Sequence, residues 1–539
     1  MAETVDAVVV GGGHNGLVAA NMLVDAGWDV LVLEGTGQVG GAVRSAEVTA
    51  PGYLNDLCSA FYPLSAGSPA LRELALEDHG LRWTHAPQVL AHLFPDGRAA
   101  VLSRDLDVTA ASLDEFAVGD GERWRQMYEQ WLDIVDPLLE AMLRPFPPVL
   151  PAARLFRRLK VAGGLRLARR FLLPTRVFGD EAFTGDGAKL LLAGLALHTD
   201  LSPDDAASGG YGWLLAMLGQ QFGFPVPVGG AQRIPDTLAA RLKARGGRIE
   251  YHAMVDQVVV GAGRALGVGC ADGRRWRARR AVLADVPAPT LYRHLVGAGH
   301  LPQRLVDDLL GFTWDDATLK VDWALSGPVP WPADALGADG LRGAGTVHLG
   351  ADMDGLSRYA ADIATGQVPQ EPFLLAGQMT TTDPTRSPAG TESLWAYTHL
   401  PRRDRWDADE VDGHAKRIEA VFERHAPGFT DLIVGRYVAG PQQLATENPS
   451  LVGGAINGGT AAPYQQLFLR PVPGLGRADT PIDRLYLASS SAHPGGGVHG
   501  APGANAARAA LARCRPVTGG LYAAAIRAGH RAVYPPDAS

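Results

Sequence analysis

Three cysteines in 539 residues, Cys58, Cys270 and Cys514, are too few, too scattered and odd in number to build a disulfide framework, and none forms a CxxC pair. That usage fits a reducing compartment. Basic residues are also short, 49 against 57 acidic for a net charge of −8, so no nucleic-acid partner is expected. No hydrophobic run suits a membrane span. The longest uncharged stretch, 206–232, is broken by scattered glycines and by Pro225 and Pro227, and reads as a buried, turn-rich segment. Residues 4–10 carry neither a basic flank nor a cleavage site, so no secretory leader is expected. The expected location is the cytoplasm, with peripheral membrane contact as an alternative. An HExxH helix, a Cys/His cluster, a GxSxG elbow and a P-loop are all missing. Their absence sets aside zinc hydrolysis, serine-nucleophile hydrolysis and P-loop phosphoryl transfer, and leaves no metal site to expect.

What is present is an ordinary globular composition, 46% hydrophobic and 20% charged, on a chain longer than one typical domain. Residues 7–10, 16–26 and 28–34 read strand, helix, strand: a βαβ start. A second unit begins near Val228, with a helix at 234–244, a strand at 248–251, a hairpin from 255–260 and 265–270, and a strand at 278–283. Runs at 318–326, 345–350, 373–380 and 392–400 suggest a separate mixed sheet. A strand at 485–488, a glycine-rich loop and a helix at 505–514 close the pattern. Segment 141–179 holds nine basic residues and no acidic one, so the rest of the chain carries −17 against the total of −8. Its arginines recur at helical spacing. They predict one or two basic amphipathic helices, broken at Gly163-Gly164, that meet either an anionic membrane surface or acidic parts of the protein itself or of a partner subunit.

The chemistry-bearing motif is Gly11-Gly12-Gly13-His14-Asn15-Gly16, a G-x-G-x-x-G between strand and helix, with Glu34 ending the next strand 21 residues past Gly13. Gly11 suits the tight turn, Gly13 the approach of a pyrophosphate, and Gly16 close helix–strand packing; the free N–H groups of the helix start face the phosphate charge, His14 and Asn15 opening that helix. Glu34 is placed to accept the ribose hydroxyls and would repel a 2′-phosphate. Then come Gly40, Gly41, Arg44 and Ser45, and, near the end of the chain, the run from Leu485 to Gly500 with Ser491, His493, Gly496, Gly497, Val498 and His499.

Together these segments resemble the FAD-binding oxidoreductases of the phytoene-desaturase and carotenoid-ketolase type, the wider group that includes the amine oxidases and the pyridine nucleotide-disulfide oxidoreductase domain 2 proteins. The doublet Gly40-Gly41 resembles that family's G-G-R-x-x-S/T, with Ala42 in place of the usual arginine, Ser45 matching and Arg44 near the pyrophosphate. The C-terminal run resembles its flavin-binding signature, although Ser489 to Ser491 stand where many relatives have Gly-Asp. The resemblance spans about residues 5–515 and extends to Pro227-Val228-Gly229-Gly230, to residues 319–325 and 466–471, and to Val255, whose family counterpart offers backbone groups to adenine. It implies an α/β fold: a Rossmann-type FAD-binding domain from 1–90, 225–290 and 475–539, with a discontinuous substrate domain of mixed sheet and helices from 91–224 and 291–474. It also implies FAD as cofactor, a hydrophobic polyene or lipid-like partner molecule, and desaturation by hydride transfer to flavin N5. Ketolation or hydroxylation is an alternative, as is a non-catalytic flavin-containing interaction protein. His493 and His499 are the candidates for catalysis, each weighed against a packing role; His198, Glu447 and Tyr464, polar in apolar stretches, are not assigned one. The oligomeric state is not fixed by any of these residues.

Overall fold

The strand Glu3–Val10, buried from Val5 onward, pairs in parallel with Val30–Leu33 on one side and Arg275–Ala284 on the other. A computed structural model describes residues 3–332 and 338–535, so the ends 1–2 and 536–539 of the expected FAD-binding parts lie outside the described residues. Val30–Leu33 carries Arg248–Glu250 on its far edge, Arg275–Ala284 carries Leu485–Leu487, and the hairpin Val255–Gly261/Arg264–Cys270 completes seven strands. Apolar side chains on both faces explain the run Val8-Val9-Val10, since a parallel sheet is covered on both sides. Helices His14–Asp25, Arg233–Ala244 and Ala501–Arg513 bury Leu17, Leu23, Leu238, Leu242 and Ala507 on one face. On the other face the core takes in Leu291, Tyr292, Leu305 and Leu309, so it continues past residue 290 into 291–309.

A second sheet also has seven strands, in the order Ile433–Ala439, Ala317–Leu325, Glu392–Leu400, Leu374–Gln378, Ala344–Leu349, Gln88–Leu93, Ala99–Leu102. Its pairs are antiparallel except Ala344–Leu349 with Gln88–Leu93, which makes it mixed. The helix Ala408–His425 closes one face around Trp323, Phe422 and Phe429. Helices Asp120–Leu143, Asp186–Ala196 and Ser208–Phe222 close the other around Trp124, Trp131 and Trp213.

Two local expectations are corrected. The stretch expected to be turn-rich contains a continuous buried helix, Ser208–Phe222. Its glycines serve close packing, not turns: a Cβ on Gly212 would lie 2.3 Å from the Leu192 carbonyl oxygen of the helix Asp186–Ala196, so only glycine lets the two backbones meet. In the basic segment the helical run Val149–Leu172 breaks at Lys160 (φ 55°, ψ −172°), while Gly163 and Gly164 stay helical. Several basic groups there do find partners: Arg154 with Glu140, Arg169 with Glu181, and Arg176 with Asp204 and Asp354. Arg170 lies over the Phe178 and Trp213 rings.

Candidate functional site

The turn after Glu3–Val10 is built as its glycines require. Gly11 has φ +95°, and a Cβ there would meet the Asp285 carbonyl oxygen at 2.8 Å; a Cβ on Gly16 would lie 2.2 Å from the Gly11 carbonyl. The Glu34 Oε2 accepts the Gly12 N–H at 2.9 Å, and Oε1 accepts both the N–H and the hydroxyl of Thr36 at 2.8 Å. The carboxylate is thereby fixed at the cavity wall. Gly40 N–H donates to the Gly12 carbonyl and ties the second doublet to the first turn. Asp285, one residue past Arg275–Ala284, accepts the Gly16 N–H at 2.9 Å, and burial pushes its carboxyl up to about 7. Sequence reasoning missed this residue. Its signal was a carboxylate just beyond the C-terminal end of a parallel strand, where open α/β sheets bind ligands.

Further along, Arg44 Nη2 donates to the Glu447 carbonyl, while Ser45 Oγ donates to Asp56 and accepts the Gln232 N–H. The loop 456–460 is held between opposite charges. Asp315 accepts the N–H groups of Ile456, Asn457 and Gly459 at 2.7–2.9 Å, and the buried Arg470 donates to the carbonyls of Asn457, Gly458, Gly459, Thr460 and Ser490. That loop therefore stays docked on the C-terminal serine run, where Ser491 Oγ donates to the Gly458 carbonyl.

The two candidate histidines differ. His499 accepts the Ala501 N–H at Nδ1 and faces the Gly496 carbonyl with Nε2, each at 3.1 Å, and desolvation takes it down to about 3. Both nitrogens shape the loop. His493 faces the Arg144 carbonyl at 3.1 Å and packs edge-on to Phe146; desolvation lowers it to about 4, and it does not line the cavity.

These parts bound one cavity of about 530 Å³. It runs from the dinucleotide end (Gly11, Gly13, His14, Asn15, Glu34, Gly40, Gly41, Arg44, Val255) past Ser491, Gly496, Gly497, Val498 and His499 into a chamber walled by the second sheet and its helices. Gly16 and Ser45 stand behind the wall. The residues fit FAD on their own evidence: His14 Nε2, Asn15 Oδ1 and Arg44 Nε are buried along the cavity without a partner among the described residues. Buried polar atoms of that kind call for hydrogen bonds from a ligand. Glu34 would hold the ribose and the Gly11–Gly16 turn the phosphates. Among the described residues no group of three or more His, Cys, Asp or Glu could hold a metal ion.

Three residues of the chamber wall, Thr346, Trp395 and Tyr397, are placed by the register of the second sheet. Cross-strand neighbours His92, His348, Leu375, Tyr397 and Lys320 form one row, and Leu90, Thr346, Gly377, Trp395 and Asp322 the next on the same face. The Lys320 ammonium is sealed against the Asp322 carboxylate, both buried, and desolvation raises Asp322 to about 6. The remaining walls come from Phe61, Leu64, Met142, Leu214, Leu215 and Phe224.

The model of the family described as flavin containing amine oxidoreductase matches residues 16–511. The chain is 28% identical over 546 residues to pyridine nucleotide-disulfide oxidoreductase domain-containing protein 2 of Mus musculus, covering 93% of this chain and 92% of that one. It is 25% identical over 513 residues to the neurosporene-forming phytoene desaturase of Rhodobacter capsulatus, covering 91% of each. An oxidoreductase from Methanosarcina mazei shares the fold at 14% identity, with a TM-score of 0.61 over 94% of this chain and 99% of that one.

Proposed function

The chain belongs to the flavin containing amine oxidoreductase family, and we propose that within it this protein dehydrogenates an apolar, polyene or lipid-like substrate. It is an FAD-dependent oxidoreductase. The observation that carries the substrate reading is the chamber: on its side of the cavity the lining includes Phe61, Leu64, Met142, Leu143, Leu214, Leu215, Phe224, Trp395 and Tyr397, its polar members include Ser59, His198, Thr199, Tyr211 and Thr346, and these residues bring no Asp, Glu, Lys or Arg. Of the charged lining groups, Glu34, Arg44 and Asp285 stand at the nucleotide end, and the Glu447 carboxylate accepts the Tyr437 hydroxyl and the Gln443 amide. A cationic or anionic substrate would therefore enter without a countercharge, at a cost of several kcal/mol. Similarity to a phytoene desaturase supports the same reading. Bound FAD supplies the two-electron acceptor. The protein's part is to hold a C–H bond within about 3–3.5 Å of it and to exclude water. Mass spectrometry of lipophilic molecules that co-purify with the protein tests this: recovery of an unsaturated or isoprenoid compound supports it, and recovery of polar amines alone rejects it.

We also propose that the basic segment meets an anionic membrane surface and feeds the chamber. Val149, Leu150, Phe156, Val161, Leu165 and Leu172 are each 57–72% exposed on the run Val149–Leu172. Among the described residues Arg157, Lys160 and Arg166 have no ion-pair partner. Phe171 packs edge-on to Trp213 of the chamber helix Ser208–Phe222. An apolar row beside free cations suits partition at a lipid headgroup layer. No helix among the described residues is long and apolar enough to cross a membrane.

A further inference from the structure

Three polar atoms on the chamber wall have no hydrogen-bond partner among the described residues. The Tyr397 hydroxyl makes no bond to protein, the Thr346 hydroxyl is buried without a partner, and His198 engages only its Nε2, which meets His348 Nε2 at 3.0 Å. All three residues line the same chamber. Thr346 and His348 share a strand and a sheet face, and Tyr397 follows His348 in one cross-strand row.

The histidine pair decides what His198 presents. Desolvation holds both rings neutral, taking His198 down to about 3 and His348 well below its ordinary value. Between two neutral Nε2 atoms at this distance lies a single proton. If His198 supplied it, His348 would carry its own proton on Nδ1, which is buried without a partner. An orphaned buried N–H is rarer than an orphaned acceptor. The favoured arrangement therefore has His348 Nε2–H donating to His198 Nε2, leaving a bare lone pair on His348 Nδ1 and an N–H on His198 Nδ1, the polar atom His198 has left for the chamber. Gly194 keeps room for this stack: a Cβ there would lie 2.3 Å from His348 Nδ1 and 2.8 Å from His92 Nδ1.

We propose that His198 Nδ1–H and the Tyr397 hydroxyl form a donor pair for an oxygen atom of the substrate, so that the preferred substrate is a lipophile bearing a carbonyl or hydroxyl and not a bare hydrocarbon. This rests on the apolar-substrate reading and narrows it. His348 acts through His198 as a positioning residue. A hydrocarbon in the chamber would leave both donors buried and unpaired, the situation that lets a polar site reject an analogue lacking the matching group.

The test is titration of the FAD-loaded protein with a long-chain methyl ketone and with the 1-alkene of equal carbon count, read by perturbation of the flavin spectrum. The ketone should bind about 10-fold more tightly, the scale of one satisfied buried donor. His198→Phe should bring the ratio close to one, His198→Gln, which keeps an N–H donor, should restore part of it, and Tyr397→Phe should lower it independently; FAD content checks that each variant folds. Equal affinities in the native protein, or a ratio unmoved by His198→Phe and Tyr397→Phe, would overturn the donor pair while leaving the apolar reading intact. If neither ligand perturbs the flavin, the apolar reading falls and this proposal falls with it.

Discussion

Asp285 Oδ2 accepts the Gly16 N–H at 2.9 Å, which places a buried carboxyl against the turn that would carry the FAD phosphates. Burial raises that carboxyl from 3.8 to about 7. The folded state thus binds its proton more tightly than the unfolded chain, so stability contributed by the neutral acid is present at low pH and lost as pH rises through about 7. Ionised, Asp285 would also repel the phosphates. FAD retention in the native protein should fall between about pH 6 and 8, and Asp285→Asn should flatten that dependence. Equilibrium dialysis of FAD across the range checks it; identical profiles for the two proteins would count against this role.

Buried histidines act with the opposite sign. His14 and His493 are lowered to about 4, and His92, His198 and His499 to about 3, all by desolvation. Each lends stability that is full above the unfolded value near 6.5 and shrinks as pH falls below it, by about 1.4 kcal/mol per unit per group. The melting temperature should therefore drop steeply from about pH 6.5 to 4.5, and replacing the buried histidine His92 with Leu should make the slope shallower. A melting temperature constant over that range would contradict the assignment.

Much of this was legible in the sequence. The βαβ start, the hairpin of 255–270, the mixed sheet of 318–400 and the closing strand–loop–helix were readable because period-two alternation and glycine punctuation are local signals. The strands Gln88–Leu93, Ala99–Leu102 and Ile433–Ala439 were not, being short runs whose role depends on partners far along the chain. Ser208–Phe222 was misread because glycines that serve helix contact look like glycines that serve turns. Of the site, the dinucleotide end was visible as a motif. The His198–His348 pair and the Arg470–Asp315 cradle were not, since each joins residues more than 140 positions apart.

Glu34→Ala should lower FAD affinity by about 10- to 100-fold, from the loss of charge-assisted bonds worth about 1.5–3 kcal/mol. The fold should survive, because among the described residues the Glu34 side chain bonds only to Gly12 and Thr36, and its backbone bonds to Glu250 and Ala253 remain in the variant. Fluorescence of released FAD, read beside circular dichroism, separates the two outcomes; unchanged FAD content would remove Glu34 from the ribose site.

Salt-sensitive sedimentation with anionic liposomes should be lost when Arg157, Lys160 and Arg166 become Gln. Gln at Arg169 and Arg170 should matter less, as Arg169 pairs with Glu181 and Arg170 lies over Trp213. Phe156→Ser with Leu165→Ser should weaken binding even at low salt, because both side chains stand more than half exposed. Native protein that ignores anionic liposomes at low salt would leave the basic face to its ion pairs.

The central claim, FAD-dependent oxidation of an apolar substrate, is tested most directly by anaerobic rapid mixing. The FAD-loaded protein would be mixed with an isoprenoid alcohol, with the hydrocarbon of the same skeleton, and with aliphatic primary amines, while the oxidised flavin absorbance is followed. The account predicts bleaching by the isoprenoids and none by the amines, because the chamber walls of Leu214, Leu215, Phe224 and Trp395 offer an ammonium no carboxylate. Rapid bleaching by an amine, with the isoprenoids inert, would contradict it.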